Sequence, residues 1–317
     1  MSAYNLQGKY AIVTGGGSGI NYVTVTLLLE AGCSVMIADL RLRPEAEELL
    51  STYTGAEPGS IKALFHKTDI GNWANITTLW DATLEAFGRI DIVVNGAGIY
   101  EPPSSTFWNP PGRSTVAQDD ANSEKGVYKT FSVNALGPIR LSQIAIEYWI
   151  ENRHKGIEGN LFFVISVAAY ITSLHTPLYE ASKAAIMGFA RSLGTLRKLF
   201  GIRVAGICPG GVYTPLLQQD YTSDRLTDPR MYLQPEQCAE VCLDILQKPQ
   251  YGDGNIVEVV LVGTVEDSRV NVREVPFERV YLNEGMEGVP DLFAGAEEAL
   301  IEALKVKGMG GPEPLIK

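Results

Sequence analysis

Short apolar runs alternate with longer segments of helical periodicity over most of the chain. The apolar runs have the length and content of buried strands, and the longer segments repeat apolar residues at helical spacing. Strands are predicted over 9–14, 34–38, 61–65, 91–94, 161–165, 202–208 and 256–262. Helices are predicted over 20–31, 72–87, 127–153, 181–199 and 296–306, with a further helix that begins at Pro235. One large α/β domain with additions fits this pattern better than two domains.

Two segments interrupt or extend the pattern. Residues 99–126 contain four prolines and little periodicity, and they are longer than most loops. This segment is either a disordered insertion or a lid whose aromatic residues form a pocket wall, and its position after a strand favours the lid. Residues 264–317 are acidic with scattered apolar side chains. They are expected to pack over the pocket, to mediate contacts between subunits or to be partly disordered.

Composition and charge restrict the class of function. The chain of 317 residues is 45% hydrophobic and 20% charged, which is typical of a soluble globular protein. Its net charge of −11 argues against nucleic acid or an anionic membrane as partner, and leaves small molecules. No apolar stretch approaches the ~20 residues of a membrane span, so a cytoplasmic location is expected. Cys238 and Cys242 have no further ligand nearby in the sequence, so no metal site is expected.

A glycine-rich turn lies between the first predicted strand and the first predicted helix. It runs from Thr14 to Asn21 as Thr-Gly-Gly-Gly-Ser-Gly-Ile-Asn. Such a turn lets the backbone approach a pyrophosphate, and the helix N-terminus adds free N–H groups and a partial positive charge. Asp39, 25 residues after Thr14, has the position of an acid that binds the ribose hydroxyls and repels a 2′-phosphate. NAD is therefore expected in preference to NADP, although Asp39 could only cap a turn and Arg41 could admit some NADP.

A second group of polar residues lies between the fifth strand and the helix that follows. Ser166 stands at the carboxyl end of the strand, where open α/β sheets bind ligands. Tyr179 and Lys183 are four residues apart, so on a helix they project from one face. A nearby cation lowers the pKa of a phenol and makes it usable as an acid or base, while Ser166 could hold a substrate oxygen. Alone, a Tyr-x-x-x-Lys pair is more often two side chains on a solvated helix face.

Together these residues resemble the short-chain dehydrogenase/reductase family. The similarity covers residues 5–265 and includes Ser166, Tyr179, Lys183, the TGGGSGI turn, NGAG at 95–98 and PGGVYT at 209–214. It implies a Rossmann-type, doubly wound parallel sheet of about seven strands with helices on both faces. It also implies a nicotinamide cofactor and hydride transfer to or from a carbon that bears an oxygen. Residues 266–317 would then be a C-terminal extension.

The resemblance also implies residue roles. Tyr179 would be the acid/base, Lys183 would lower its pKa and bind the nicotinamide ribose, and Ser166 would orient the substrate oxygen. Asn134 would hold a relay water; in agreement, Pro138 has no N–H to bond the Asn134 carbonyl four residues earlier. The cofactor would contact Thr14, Gly15, Gly17, Ser18, Gly19, Ile20, Asp39, Asp69, Ile70, Asn95, Ala97, Gly98, Tyr179, Lys183, Pro209, Gly210, Val212 and Thr214.

The sequence departs from the family pattern at two places. Asn21 stands where the family has its third glycine, which predicts looser packing of helix and strand. The family doubles the asparagine of the NGAG motif, and Val94 is expected to replace the first of the two.

The function predicted from these residues is an NAD-dependent dehydrogenase that oxidises a secondary alcohol of a bulky, mostly apolar small molecule to a ketone. The apolar walls would come from Tyr100, Phe107, Trp108, Leu216 and Leu217. One alternative is an NAD(P)H-dependent carbonyl reductase that uses the same site in reverse. An alternative of another class is a non-redox protein that binds a cofactor or directs a cyclisation. A homodimer or homotetramer is expected.

Overall fold

The strands form one mostly parallel sheet. A computed structural model describes residues 3–55, 59–219, 222, 228–277, 294–309 and 315 of the chain. The strands are β1 (Tyr10–Thr14), β2 (Ser34–Asp39), β3 (Ala63–Lys67), β4 (Ile92–Asn95), β5 (Asn160–Val164), β6 (Arg203–Pro209), β7 (Asp253–Gly263) and β8 (Ser268–Glu274). They lie in the order β3-β2-β1-β4-β5-β6-β7-β8, and every neighbouring pair is parallel except β7 and β8. Since the chain order reverses between β1 and β4, their carboxyl ends open a crevice. The predicted Rossmann-type α/β fold is confirmed.

The α-helices connect the strands and cover both faces of the sheet. Their bounds are α1 (Gly19–Glu30), α2 (Pro44–Thr52), α3 (Trp73–Phe87), α4 (Lys129–Phe131), α5 (Gly137–Asn152), α6 (Pro177–Ser192), α7 (Leu196–Phe200), α8 (Pro235–Gln247) and α9 (Ala294–Lys307). Asn72 caps α3, because its Oδ1 accepts from Ala74 N at 2.9 Å. Of the helices in the described ranges, none is both long and apolar enough to cross a membrane.

Two apolar clusters, one on each face of the sheet, form the core. Successive residues of a strand point to opposite faces, so Phe163 belongs to the cluster that contains Trp149, and Phe162 to the one that contains Leu28. All four side chains are fully buried. Burial of each such Leu or Phe stabilises the fold by about 1.5–3 kcal/mol. Residues of α3, α5 and α6 cover the first cluster, and residues of α1 and α8 cover the second.

One predicted helix is divided in two. The sequence predicts a helix over 181–199, but α6 begins at Pro177 and ends at Ser192, and α7 follows it. Proline is favoured in the first turn, since its missing N–H would have no partner there. Gly194 lies in the interruption, where a Cβ would overlap the carbonyl oxygen of Asp253 in β7. The close approach of the β7 backbone therefore favours a break at this point.

The predicted helix over 127–153 contains a π-helical turn. Residues Ser132–Leu136 form this turn between α4 and α5. Pro138 has no N–H, so the α-helical bond to the Asn134 carbonyl is not possible, and the wider turn accommodates the missing donor. The turn also places the Asn134 side chain against Ile99, at the start of the 99–126 segment.

The sheet has one strand more than the sequence predicts. Strand β8 pairs antiparallel with β7, so β7 is not the last strand. The β8 sequence Ser-Arg-Val-Asn-Val-Arg-Glu is mostly exposed and contains no continuous apolar run that would mark a buried strand. Both β8 and α9 belong to the extension, and Leu304 of α9 packs against the core. The division into residues 5–265 and 266–317 stays a prediction, although the extension contributes a strand to the sheet.

Candidate active site

A cavity of about 780 Å³ lies at the carboxyl ends of the strands, within the size range of cofactor and ligand sites. Residues at or just after the ends of β1, β2, β4, β5 and β6 line it. The predicted site residues that line it are Thr14, Gly15, Gly17, Ser18, Gly19, Ile20, Asp39, Asp69, Ile70, Ala97, Gly98, Ser166, Tyr179, Lys183, Pro209, Gly210, Val212 and Thr214. Asn95 and Asn134 are buried beside the cavity and do not line it.

The Asn95 side chain lies behind the cavity wall. Its Nδ2 donates to Ser142 Oγ at 3.2 Å, which joins the end of β4 to α5. This differs from the predicted cofactor contact, because the side chain points to the helix that covers the sheet. Asn95 therefore braces the strand whose end forms the cavity.

Thr14 and Gly15 join the ends of β1 and β4. Thr14 Oγ1 accepts from the backbone N–H groups of Gly96 and Ala97 at 3.0 and 3.1 Å. Gly15 has a φ of 72°, and a Cβ at this position would lie 2.8 Å from Ala97 Cα. A side chain does not fit here, so glycine keeps the two strand ends close and the turn backbone open to the cavity.

Asn21 does not loosen the packing of α1 against the sheet. Its Nδ2 donates to Gly96 O at 2.8 Å, and the residue is only 8% exposed. A Cβ at Gly96 would overlap the Asn21 amide, so the asparagine side chain fills the space above this glycine. Asn21 and the bare backbone of Gly96 thus share one space between α1 and the end of β4. The replacement of the first family asparagine by Val94 stays a prediction.

Asp39 braces the glycine-rich turn at the end of β2. Its Oδ2 accepts from Gly17 N at 3.0 Å, and its Oδ1 accepts from Leu40 N at 2.7 Å. Gly17 cannot carry a side chain, since a Cβ would lie 2.6 Å from Arg41 O. Arg41 and Arg43 also line the cavity. The open turn and the carboxylate beside it fit the pyrophosphate and ribose of a dinucleotide.

Tyr179, Ser166 and Lys183 meet at one part of the cavity. Tyr179 and Lys183 lie one turn apart on α6, and Lys183 Nζ is 5.7 Å from the centre of the Tyr179 ring. Ser166 lines the same cavity, and its hydroxyl lies near enough to the Tyr179 phenol to affect the phenol's pKa. Lys183 Nζ donates to Val164 O at 3.0 Å, which fixes the ammonium between α6 and the end of β5. The residues that the sequence proposes for the chemistry are therefore in contact or one turn apart.

Burial controls the pKa values in this cluster. It raises the pKa of Tyr179, and the neighbouring Ser166 hydroxyl offsets part of that effect. Lys183 is predicted to lower the pKa of Tyr179, but its charge is not among the leading causes, and the net direction is upward. Burial lowers the pKa of Lys183 itself to about 8. At neutral pH the phenol is thus protonated and the amine is mostly charged.

The Asn134 side chain holds the start of the 99–126 segment. Its Oδ1 accepts from Ile99 N and its Nδ2 donates to Ile99 O, both at 2.9 Å. Nδ2 also donates to Ser182 Oγ at 3.1 Å, which joins the π-helical turn to α6. The Asn134 side chain thus bonds protein groups on both the 99–126 segment and α6.

The aromatic residues of the 99–126 segment do not form one wall. Tyr100 lines the cavity, and its ring meets the Tyr179 ring edge-on with centroids 4.7 Å apart. Phe107 and Trp108, by contrast, are 53% and 52% exposed and do not line the cavity. Trp108 Nε1 donates to Leu174 O at 2.8 Å, which ties the segment to the loop before α6. The prediction of a pocket wall thus holds for Tyr100 and is wrong for Phe107 and Trp108.

Two acidic residues near Tyr179 carry no role in the sequence prediction. Glu101 is buried against the N-terminus of α6, and Glu180 lines the cavity next to Tyr179. Burial raises the pKa of Glu180, whose Oε1 accepts from the Thr176 hydroxyl at 2.9 Å. The sequence could have indicated Glu180, because it lies between Tyr179 and Lys183. It could not have indicated Glu101, because the contact of Glu101 with α6 spans 78 residues of chain.

The fold and the cavity define an oxidoreductase of the Rossmann type, with a turn shaped for a dinucleotide. The chain belongs to the short-chain dehydrogenase/reductase family, because the family model described as short chain dehydrogenase matches residues 9–225. It is therefore a short-chain dehydrogenase/reductase enzyme, and its cofactor is a nicotinamide dinucleotide.

Relatives and solved structures agree with this assignment. Short-chain dehydrogenase reductase 3a of Arabidopsis thaliana is 31% identical over 72% of this chain and 80% of its own. L-fucose dehydrogenase of Bos taurus is 30% identical over 67% of this chain and 69% of its own. The structure of 3-ketoacyl-(acyl-carrier-protein) reductase from Brucella melitensis complexed with NADH covers 80% of this chain and 97% of that one, with a TM-score of 0.62 and 25% identity.

Proposed function

We propose that the enzyme uses NAD to oxidise a secondary alcohol of a bulky, mostly apolar small molecule to a ketone. The observation that carries this proposal is that Ser166, Tyr179 and Lys183 line one cavity of dinucleotide size, with Tyr179 and Lys183 one turn apart on α6. NAD, when bound, would accept the hydride from the carbinol carbon. The protein itself would handle the proton.

Each polar residue of the cluster has a proposed part in that proton transfer. Ser166 orients the substrate oxygen, and Tyr179 takes its proton as general base. Lys183, fixed by Val164 O at 3.0 Å, would favour the phenolate by its charge and hold the nicotinamide ribose. The Asn134 carbonyl would hold the water that passes the proton toward solvent.

The choice of NAD over NADP rests on Asp39. Its carboxylate stands beside the glycine-rich turn, bonded to Gly17 N, where it would accept from the ribose hydroxyls and repel a 2′-phosphate. NAD(H) should therefore bind at least about tenfold more tightly than NADP(H), which is ~1.4 kcal/mol. Asp39→Ala should narrow this gap, because Arg41 and Arg43 line the same part of the site. Fluorescence titration of NADH and NADPH measures both affinities, and equal wild-type affinities would contradict the proposal.

The substrate class rests on the walls around Tyr179. Tyr100, Pro102, Ile171, Leu216 and Leu217 line the cavity and give it apolar surface. Polyols would leave several hydroxyls without partners against such walls, so they should be poor substrates. The name L-fucose dehydrogenase of one relative makes a sugar the comparison to include.

A carbonyl reductase that works in the opposite direction is the second candidate. The observation in its favour is the pKa of Tyr179, which burial raises. A phenol that stays protonated at neutral pH is ready to donate a proton to a ketone oxygen. The same residues would then reduce a ketone with NAD(P)H.

The test of both directions uses the full chain and follows the absorbance of NADH. We expect NAD⁺ reduction with 1-phenylethanol, cyclohexanol or 2-octanol, and little with sorbitol or L-fucose. Tyr179→Phe should lower turnover by at least ~10²-fold while NADH binding persists. Near-normal turnover in Tyr179→Phe, or preference for sorbitol, would contradict the mechanism or the substrate class. A non-redox cofactor-binding protein would bind NADH and turn over no member of the panel or its ketones.

The remaining expectations follow the family resemblance and the composition. We propose a small-molecule substrate, a homodimer or homotetramer, and a cytoplasmic location. Size-exclusion chromatography with light scattering measures the oligomeric state.

A further inference from the structure

Glu101 is a buried acid whose two oxygens join two parts of the chain. The residue is 5% exposed, and no salt bridge in the described ranges includes it. Its Oε2 accepts from Tyr179 N at 2.8 Å. Its Oε1 accepts from the Thr106 hydroxyl at 2.7 Å and from Phe107 N at 3.2 Å. A carboxylate without a cation is costly to bury unless such donors surround it, so both sets of contacts hold it.

The contact with α6 falls on the backbone of Tyr179. This N–H lies in the first turn of the helix, where the helix dipole favours an anion. It also donates to Thr176 O at 3.0 Å, so Glu101 supplies the shorter of its two bonds. The preceding residue, Tyr100, packs edge-on against the Tyr179 ring. Two consecutive residues of the 99–126 segment thus touch Tyr179, one at the ring and one at the amide.

The backbone of Glu101 is itself in a rare conformation. Its φ of 31° is the only positive value at a non-glycine residue in the part of the chain that the structure describes. Such conformations persist where the surroundings over-determine them, and they are enriched at functional sites. Here the carboxylate contacts and the bonds between Ile99 and Asn134 hold the residue from both sides.

We propose that Glu101 is a positioning residue, which fixes Tyr179 through its backbone N–H and couples the 99–126 segment to the phenol. The inference rests on the proposed role of Tyr179 in proton transfer. A small displacement of a catalytic group costs a large factor in rate even when the substrate still binds. Substitution of Glu101 is therefore expected to lower turnover more than it weakens substrate binding.

The kinetic test compares Glu101→Ala and Glu101→Gln with a matched control in the same segment. The control is Ser105→Ala, because Ser105 is also buried and its Oγ accepts from Thr130 N at 3.0 Å, so it anchors the segment to α4. With NAD⁺ and 1-phenylethanol, Glu101→Ala should lower kcat at least about tenfold and change KM less than about twofold. Glu101→Gln, whose amide oxygen can still accept from Tyr179 N, should recover part of kcat.

The outcome of the control decides between positioning and simple anchoring. Ser105→Ala should keep kcat within about threefold of the wild type, since it weakens the segment without touching Tyr179. Equal losses of kcat in Glu101→Ala and Ser105→Ala would overturn the proposal. If Glu101→Ala does not fold, a kcat in Glu101→Gln equal to that of the wild type at raised KM would overturn it as well.

A second readout needs no substrate. Amide hydrogen exchange, followed by mass spectrometry on peptides that cover residues 177–183, should be at least about fivefold faster in Glu101→Ala than in the wild type and unchanged in Ser105→Ala. Unchanged exchange in Glu101→Ala would overturn the proposal. The exchange could be faster in Glu101→Ala while the wild type turns over no alcohol or ketone of the panel. In that case the proposed function is wrong, and the proposal that Glu101 positions Tyr179 is retained.

Discussion

Asn21 and Gly96 show at the scale of residues how a departure from a family pattern can depend on a residue distant in the sequence. The Asn21 amide occupies the space above Gly96 and bonds its carbonyl. We expect Gly96→Asn to destabilise the fold by about 1–3 kcal/mol, because the new side chain overlaps Asn21. Asn21→Gly should cost about 1–2 kcal/mol through the lost hydrogen bond and packing.

The double variant Asn21→Gly/Gly96→Asn is the informative one. It moves the amide from one side of the shared space to the other, so its free energy of unfolding in urea should lie closer to the wild type than the sum of the single changes, by at least about 1 kcal/mol. Strictly additive losses would mean that the two residues fill separate spaces.

Lys183 gives stability a dependence on pH. Burial lowers its pKa to about 8 in the folded protein, below the ordinary value of 10.5. Between these two values the unfolded chain binds more protons than the folded one, so stability from this group rises with pH. The unfolding free energy of the wild type relative to Lys183→Met should thus increase from pH 8 to 10, by at most about 3 kcal/mol. Urea unfolding of both proteins at several pH values measures this difference in free energy. A difference that stays constant from pH 8 to 10 would contradict the burial effect.

The sequence predicts some residues of the site and cannot predict others, for a physical reason. Local helix geometry predicts that Tyr179 and Lys183 lie together. The position of the glycine-rich turn between a strand and a helix predicts its role in the site. Glu101 reaches Tyr179 across 78 residues of chain, and no local spacing reveals such a contact. Asn21 and Gly96 are 75 residues apart along the chain, so their contact is likewise visible only in the folded protein.

At the scale of elements, the π-helical turn is the feature that a substitution can test. Pro138→Ala supplies an N–H that can bond the Asn134 carbonyl four residues earlier. We expect stability to be unchanged or higher, and turnover to be lower, because the carbonyl proposed to hold the relay water acquires a protein donor. Thermal unfolding and kcat measured on the same preparation check both parts. Lower stability at an unchanged rate would show that Pro138 serves only packing.

Elements differ in how well their pattern predicts them. The strands β1, β2 and β4 to β6 are mainly apolar and buried on both faces, and β7 is buried over its central residues 256–259. The sequence predicts each of them to within a few residues. Strand β8 is exposed and polar, so it resembles a loop until its pairing with β7 is known. The end of α6 depends on the approach of Asp253, which is a tertiary contact and leaves no mark in the helical period.

At the scale of the whole molecule, the extension is expected to be part of the cooperative fold. Arg273 of β8 bonds Glu258 of β7 at 2.6 Å, and the other oxygen of Glu258 accepts from the Tyr170 hydroxyl in the loop after Ser166. Truncation after Asp267 removes β8 and α9, and should cost at least about 3 kcal/mol of stability, because it exposes apolar surface of β7 and leaves the buried Glu258 without its cation.

A shorter truncation serves as the control for this prediction. Removal of residues 294–317 deletes α9 and keeps β8, so it should cost clearly less. Differential scanning calorimetry measures both variants. Equal losses would place the stabilising contacts in α9, and no loss in either would support an independent extension.

Strand β8 also determines which edge of the sheet is exposed to other molecules in a concentrated solution. Without it, the sheet would end on β7, whose unpaired N–H and C=O groups would lie beside buried valines such as Val257 and Val259. An apolar edge of this kind recruits strands from other chains and promotes aggregation. The sheet ends instead on β8, a strand of seven residues that carries Arg269, Arg273 and Glu274. An incoming strand must desolvate these charges, which disfavours extension of the sheet from one molecule to the next on this side.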